Sequence, residues 1–267
     1  MDYKAVEDHL NRKIYIPFPP RKIVSLCPSI TETLFELNIS NEMVGRTRYC
    51  KHPSDQVKEV TIVGGTKEVK FSVIENLKPD LIIAEKEENP KEIVEKLSRK
   101  FPVYVTNVES YDDAIKMIKD LGSITDREKQ AQQMIEAIYH EFLNLDKLNQ
   151  ANKIKAAYVI WQKPYMVAGN HTFIHSMLEQ CGLYNVFRDY PVRYPEVSLE
   201  DFKKLSPDLI FLSSEPYPFK ESHKASLEKI FPDTKVFLVD GEIFSWYGAR
   251  MIKAPKYLNQ LLEEITI

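Results

Sequence analysis

Catalytic chemistry finds no footing in the residue spacing of this chain. It has no G-x-S-x-G elbow, no Walker A sequence and no GxGxxG. Gly64-Gly65 is a bare pair, which marks a turn more often than a phosphate cradle. His171, His175 and Glu179 fall four apart on one predicted helix, a spacing able to ligate a divalent metal. A fourth ligand is lacking, and a solvated helix face accounts for the three. His52 beside Pro53 reads as loop, and the run Glu85, Glu87, Glu88 as a solvated turn. The more suggestive residues are those just after β-like runs, where α/β folds place ligand sites. Tyr49 follows the stretch at Val44, and Gly64-Gly65-Thr66 precedes a helix. Glu85 and Lys86 follow Leu81-Ile82-Ile83-Ala84. Trp161, Lys163 and Tyr165 follow the run at Tyr158, and Glu215 and Tyr217 the run at Ile210. Phe244, Trp246, Tyr247 and Arg250 follow the run at Phe237. Both tryptophans of the chain are in this set. Aromatic walls of this kind suit a flat, largely apolar ligand. Arg250 adds a charge-assisted hydrogen bond for a polar rim group.

The elements that must position these residues alternate. Arg21–Leu26 reads as a strand, with Ser29-x-x-Glu32 as the capping box of the next helix. Ser72-Val73-Ile74-Glu75 repeats that signature, and Lys78-Pro79-Asp80 stops the helix. A strand at Leu81, a helix from about Pro90 to Arg99, a strand at Val103-Tyr104-Val105 and a helix from Ser110 to Gly122 follow. Alternation of this kind predicts a parallel sheet covered on both faces. From the capping box Thr125-x-x-Glu128, apolar residues at Ala131, Met134, Ile135, Ile138, Tyr139, Phe142 and Leu145 recur at helical spacing. They predict one helix of roughly 20 residues, about 30 Å long, closed by Asn149–Lys153. The first pattern then returns. Leu77-Lys78-Pro79-Asp80-Leu81-Ile82 reappears as Leu205-Ser206-Pro207-Asp208-Leu209-Ile210, 128 positions later. Two similar α/β lobes joined by a long helix, with a ligand cleft between them, are therefore expected.

Composition bounds the rest. Of 267 residues, 43% are hydrophobic and 28% charged, which excludes a disordered or fibrous chain. A net charge of −3 gives no electrostatic reason to expect nucleic acid or an anionic membrane as partner. The longest apolar run, Ala156–Trp161, is far short of the roughly 20 residues that span a bilayer. No apolar leader is visible at the start, so the chain either is cytoplasmic or begins after a removed signal peptide. Cys27, Cys50 and Cys181 fit no disulfide framework or zinc spacing and are expected as reduced, buried thiols.

The stretch Lys22-Ile23-Val24-Ser25-Leu26-Cys27-Pro28-Ser29-Ile30-Thr31-Glu32 resembles the opening of the class III, helical-backbone solute-binding proteins of ABC importers. The likeness runs on through Tyr49-Cys50-x-x-Pro53, Val63-Gly64-Gly65-Thr66 and Leu77–Ile82. It resumes at Glu179-x-Cys181-Gly182-x-x-Asn185-Val186-Phe187 and Ser206-Pro207-Asp208. These proteins take up vitamin B12, iron-siderophore complexes or haem, and the cobalamin-binding branch is the most similar. The resemblance implies a non-enzymatic receptor without a cofactor, extracytoplasmic, with restricted lobe motion. It implies lobes over residues 20–122 and 150–267 and a bridging helix over 123–149. Tyr49, Tyr165 and Arg250 resemble positions lining the corrin site, and Trp246 falls in the same loop. Thr66, Glu85, Lys86, Trp161, Glu215, Phe244 and Tyr247 complete the expected ligand set. Docking to the permease is expected through acidic residues, Glu221 on the second lobe and Glu88 or Glu92 on the first. A monomer is expected, since two lobes of one chain already close a cleft. The alternatives are a ferric siderophore or haem receptor of the same class, or an intracellular corrinoid-handling protein.

Overall fold

The computed structural model of the protein describes residues 2–148 and 154–266. The chain divides into two compact units. One holds residues up to Val108, Asp112–Tyr139 and Tyr247–Ile252; the other holds Glu109–Tyr111, His140–Trp246 and residues from Lys253.

The first unit opens on an antiparallel hairpin, β1 (Asp2–Glu7) and β2 (Lys13–Phe18), which the sequence reading did not anticipate. The buried Asp8 carboxylate at its turn accepts the Val105 amide at 3.1 Å and the Arg12 guanidinium at 2.6 Å. The sheet that follows is entirely parallel. Its strands are β3 (Ile23–Ser25), β4 (Met43–Arg46), β5 (Thr61–Ile62), β6 (Leu81–Glu85) and β7 (Val103–Thr106), in spatial order β5-β4-β3-β6-β7. Connecting helices are α1 (Pro28–Glu36), α2 (Phe71–Leu77), α3 (Lys91–Ser98) and α4 (Tyr111–Thr125). Val24, Leu26, Ile82, Ala84, Val103 and Val105 pack against Ile74, Val94 and Leu97 to form the core. The order reverses between β3 and β6, so the carboxyl ends of those two strands form a topological switch point, the default ligand crevice of an open α/β sheet.

The second unit contains β8 (Lys155–Trp161), β9 (Tyr165–Val167), β10 (Tyr184–Asn185), β11 (Glu196–Val197), β12 (Leu209–Ser213) and β13 (Lys235–Val239). The order is β11-β9-β8-β12-β13, with β10 also paired to β8. β8, β12 and β13 are parallel, whereas β9 turns back antiparallel on β8. Helices α6 (Phe173–Gln180), α7 (Leu199–Leu205), α8 (Glu221–Ile230), α9 (Gly241–Ser245) and α10 (Ala254–Thr266) complete it. Here the switch point lies between β8 and β12. Phe187, Phe202 and Phe231 join Val159, Ile210 and Leu212 in the core.

The internal repeat has a structural cause. α2 and α7 each end on a residue in the left-handed conformation, Lys78 (φ 49°) and Ser206 (φ 48°). A Pro-Asp pair follows each, and a proline so close to a helix end prevents its continuation. Asp80 Oδ2 accepts the amides of Arg21 and Lys22 at 2.9 and 3.0 Å, and Asp208 Oδ2 accepts the Lys155 amide at 2.7 Å. Each aspartate thus ties the start of one strand to its parallel neighbour.

Several local expectations are corrected. Ser29 does not cap α1; Cys27 occupies the N-cap and Ser29 Oγ lies 3.3 Å from its sulfur. Ser72 does not cap α2, whose N-cap is Lys70. Gly122 does not end a helix but lies inside α4, where an added Cβ would come within 2.4 Å of Ala131 Cβ. Thr125 does not cap the following helix, because its hydroxyl donates back to the Leu121 carbonyl at 2.6 Å. The chain breaks at Asp126 (φ 60°), and α5 spans Glu128–Leu143, ending short of residue 149. The polar stretch Asn149–Lys153 lies outside the described residues. The division between the two units falls within α5, after Tyr139. Among the described residues no helix is long and apolar enough to cross a membrane. All three cysteines are free and buried.

Candidate functional site

In the first unit the switch point gathers three buried ionisable groups. Cys27, just past β3, is 3% exposed, Glu85, the last residue of β6, is 2% exposed, and Tyr247 is 7% exposed. Glu85 does not point into solvent as its charged neighbourhood suggests. Its chain curls back, and Oε2 accepts the amides of Glu87 at 2.7 Å and Glu88 at 2.9 Å. Asn89 fastens the same turn. Its Oδ1 accepts the Glu85 amide, and its Nδ2 donates to the carbonyls of Leu26 and Thr66. Burial pushes the Glu85 carboxyl up from 4.5 to about 7, against the pull of those amides. Burial also raises the Cys27 thiol, with the nearby carboxylates Glu88 and Glu85 adding to it. The Tyr247 hydroxyl, 3.8 Å from Cys27 Sγ, is raised likewise by burial. This thiol is therefore a packed, protonated group and not a nucleophile.

The other expected residues of this unit are placed as follows. Arg250 forms an ion pair with Glu32 of α1, Nε to Oε2 at 3.1 Å, with both side chains 11% exposed. Tyr49 is half exposed, with the Arg48 guanidinium 5.9 Å from its ring centroid; Arg48 also pairs with Glu68 at 2.7 Å. Thr66 is buried, Lys86 and Glu92 are exposed, and Glu88 is half-buried.

In the second unit the ends of β8 and β12 carry an aromatic wall. Trp161, 40% exposed, meets Tyr217 edge-on at 5.4 Å between centroids. Tyr217 packs on Phe219 at 4.7 Å and on His223 at 5.5 Å. Tyr165 packs edge-on against Phe202 at 6.1 Å, and Gln162 lies between the hydroxyls of Tyr165 and Tyr217. Trp246 is mostly buried. Its indole N–H donates to Glu215 Oε1 at 2.7 Å, and the Ser245 hydroxyl donates to the same oxygen at 3.3 Å. Burial raises the Glu215 carboxyl, with the Trp246 bond opposing. Phe244 is fully buried between Tyr158 and Phe211. The expectation that it faces a ligand is corrected: it is a core residue beneath the Trp246 segment. Glu221 is exposed at the first position of α8.

His171, His175 and Glu179, the helical-spacing set, have these partners. His171 Nδ1 is 3.3 Å from Glu109, whereas His175 Nε2 is 3.4 Å from Glu179, which also faces Arg188. Among the described residues no three His, Cys, Asp or Glu side chains gather as a metal site. Gln162, His223 and Glu32 were not read from the sequence as site residues. A lone polar residue beside Trp161, or a helix-start histidine, carries no periodic or motif signal. Their roles arise only from the strand-end loops meeting in space.

The family model for periplasmic binding proteins matches residues 23–233. The chain belongs to the periplasmic binding protein family. It is similar to the vitamin B12-binding protein of Pectobacterium carotovorum, 23% identical over 254 residues, 92% of this chain and 90% of the relative. The solved vitamin B12-binding protein of Vibrio cholerae superposes with a TM-score of 0.77 at 23% identity, covering 94% of this chain and 99% of that one. A periplasmic heme-binding protein from Roseiflexus gives 0.75 at 20% identity, over 92% and 97%. The likeness to helical-backbone receptors of ABC importers, near the B12 branch, stands on these findings. The protein is a solute-binding protein for a small molecule, with a two-lobe α/β fold, and not an enzyme.

Proposed function

We propose that this protein binds cobalamin or a related corrinoid non-covalently and delivers it to the permease of an ABC importer outside the cytoplasm. The observation that carries the reading is the chemistry at the two switch points: aromatic faces and buried carboxyls, with three nearby arginines already paired. Trp161, Tyr165 and Tyr217 offer π faces and hydroxyls. Glu85 and Glu215 are buried carboxyls, one per unit, and neither supplies the positive charge that an anionic ligand wants. Arg250, Arg193 and Arg48 each face a glutamate, namely Glu32, Glu109 and Glu68. An anionic siderophore or the propionates of haem would want such cations unpaired. A large, flat macrocycle with neutral amide arms meets neither obstacle. The proposed contacts are Tyr49, Glu85, Lys86, Tyr247 and Arg250 in the first unit, and Trp161, Tyr165, Glu215 and Trp246 in the second. Glu88 or Glu92, and Glu221, are proposed to meet permease arginines, with the protein acting as a monomer.

Calorimetric titration with cyanocobalamin, haem and a ferric siderophore tests the reading. Saturable binding of cyanocobalamin at about micromolar Kd or tighter, roughly −8 kcal/mol, is expected, with the two anionic chelates at least tenfold weaker. Preference for either chelate would keep the receptor class and discard the corrinoid.

A further inference from the structure

The strand-end loops of the second unit hold a chain of hydrogen bonds whose direction is set by a backbone amide. The Lys220 amide, which can only donate, lies 2.9 Å from His223 Nδ1. That nitrogen therefore accepts and carries no proton, which places the imidazole proton on Nε2. Nε2 lies 3.3 Å from the Tyr217 hydroxyl and donates to it. Having accepted, the Tyr217 hydroxyl donates its own proton to Gln162 Oε1 at 3.3 Å. This fixes the Gln162 amide, whose Nε2 donates to the Tyr165 hydroxyl at 3.2 Å. Each member of the series thus passes one hydrogen bond to the next, and the series ends at Tyr165, whose hydroxyl has accepted and retains its own proton. The rings are held in place: Tyr217 between Trp161, Phe219 and His223, and Tyr165 against Phe202. The free end lies where β9 begins, just past the carboxyl end of β8, the strand that closes on the partly exposed Trp161.

We propose that Lys220, His223, Tyr217 and Gln162 form a directional relay that makes the Tyr165 hydroxyl an obligate hydrogen-bond donor to an amide carbonyl oxygen of the ligand stacked near Trp161. Tyr165 is then a specificity residue, selecting acceptors over donors at that point. Tyr217 and His223 are positioning residues that act through Gln162. Without the Tyr217 hydroxyl, the Gln162 amide is free to turn over and offer its oxygen to Tyr165. The Tyr165 proton would then be satisfied inside the protein and lost to the ligand. The ligand arm of this inference rests on the corrinoid reading; the relay itself does not.

Two measurements on the full chain test it. The first needs no ligand: long-range 1H–15N NMR of the imidazoles, with His223 assigned from its loss in His223→Ala. A neutral ring protonated at Nε2 at pH 7.5 is expected, and a proton on Nδ1, or on both nitrogens, overturns the relay. The second is calorimetric titration of cyanocobalamin into wild type, Tyr165→Phe, Tyr217→Phe and the double variant. Each single change should weaken Kd by roughly three- to tenfold, and the double variant should be no weaker than Tyr165→Phe alone. A Tyr217→Phe variant that binds like wild type, or losses that multiply in the double variant, would overturn it. If wild type binds no cyanocobalamin while the NMR shows the Nε2 tautomer, the corrinoid reading fails and the relay stands.

Discussion

Glu85 still holds a proton at pH values where an ordinary glutamate has lost it. The cause is burial, and the sign of the stability effect follows. The carboxyl titrates near 4.5 when the chain is unfolded and at about 7 when folded. Below the lower value both states are protonated and the group contributes nothing. Between the two values the unfolded chain releases a proton that the folded chain keeps, so stability falls as pH rises through that window. Above about 7 the full penalty remains, up to roughly 3 kcal/mol. Glu85→Gln keeps an acceptor for the amides of Glu87 and Glu88 but cannot ionise. Relative to wild type it should gain stability between pH 5 and pH 8, by an amount approaching that figure. Urea midpoints at the two pH values measure this directly, and a constant difference between variant and wild type would exclude the effect. The sequence shows only a charged run here, Glu85-Lys86-Glu87-Glu88, and reads it as solvated. What it conceals is the backward curl fixed by Asn89, a contact with Leu26 and Thr66 that no local pattern encodes.

At the scale of elements, legibility depended on how local the cause was. The junctions Lys78-Pro79-Asp80 and Ser206-Pro207-Asp208 were visible because a left-handed cap, a proline and a strand-tying aspartate are neighbours in sequence. The capping boxes at Ser29 and Thr125 failed because their hydroxyls found other partners, Cys27 and the Leu121 carbonyl. The hairpin β1–β2 was missed, since its anchor Asp8 bonds to Val105, far along the chain. Gly122 is the sharpest case. A glycine near a helix end reads as a C-terminal cap, yet here it admits α5 against α4. Two effects oppose each other in Gly122→Ala. Helix propensity favours alanine by up to about 1 kcal/mol. A new methyl 2.4 Å from Ala131 Cβ overpacks the contact, at about 1–3 kcal/mol. The clash should win, with a lowered Tm in thermal denaturation. Adding Ala131→Gly should recover part of the loss, and a double variant less stable than Gly122→Ala would contradict this account.

At the scale of the molecule, neither unit is a continuous stretch of chain. The backbone passes from one unit to the other at Val108, Tyr111, Tyr139, Trp246 and Ile252. The last excursion lends the first unit a six-residue strap, Tyr247–Ile252, whose Tyr247, Ala249 and Met251 are buried. The strap grips α1 closely: the Ala249 amide donates to Thr33 Oγ1 at 3.1 Å, and Arg250 pairs with Glu32 at 3.1 Å. Gly248 makes this approach feasible. Its φ is +87°, and a Cβ there would sit 2.0 Å from Thr33 Oγ1. Gly248→Ala should therefore destabilise the first unit by about 1–3 kcal/mol through strain and overlap. Both tryptophans, Trp161 and Trp246, lie in the second unit. Their fluorescence thus reports on the unit that does not contain the substitution. Because α4 and α5 each have residues in both units, and the strap is held by the second unit's chain at both ends, the two units should unfold as one cooperative system. Tryptophan fluorescence and far-ultraviolet circular dichroism should then give coincident urea transitions in wild type. In Gly248→Ala both should move to lower urea by the same amount. A fluorescence midpoint left unchanged while the dichroism transition splits in two would mean that the units fold independently despite the shared segments.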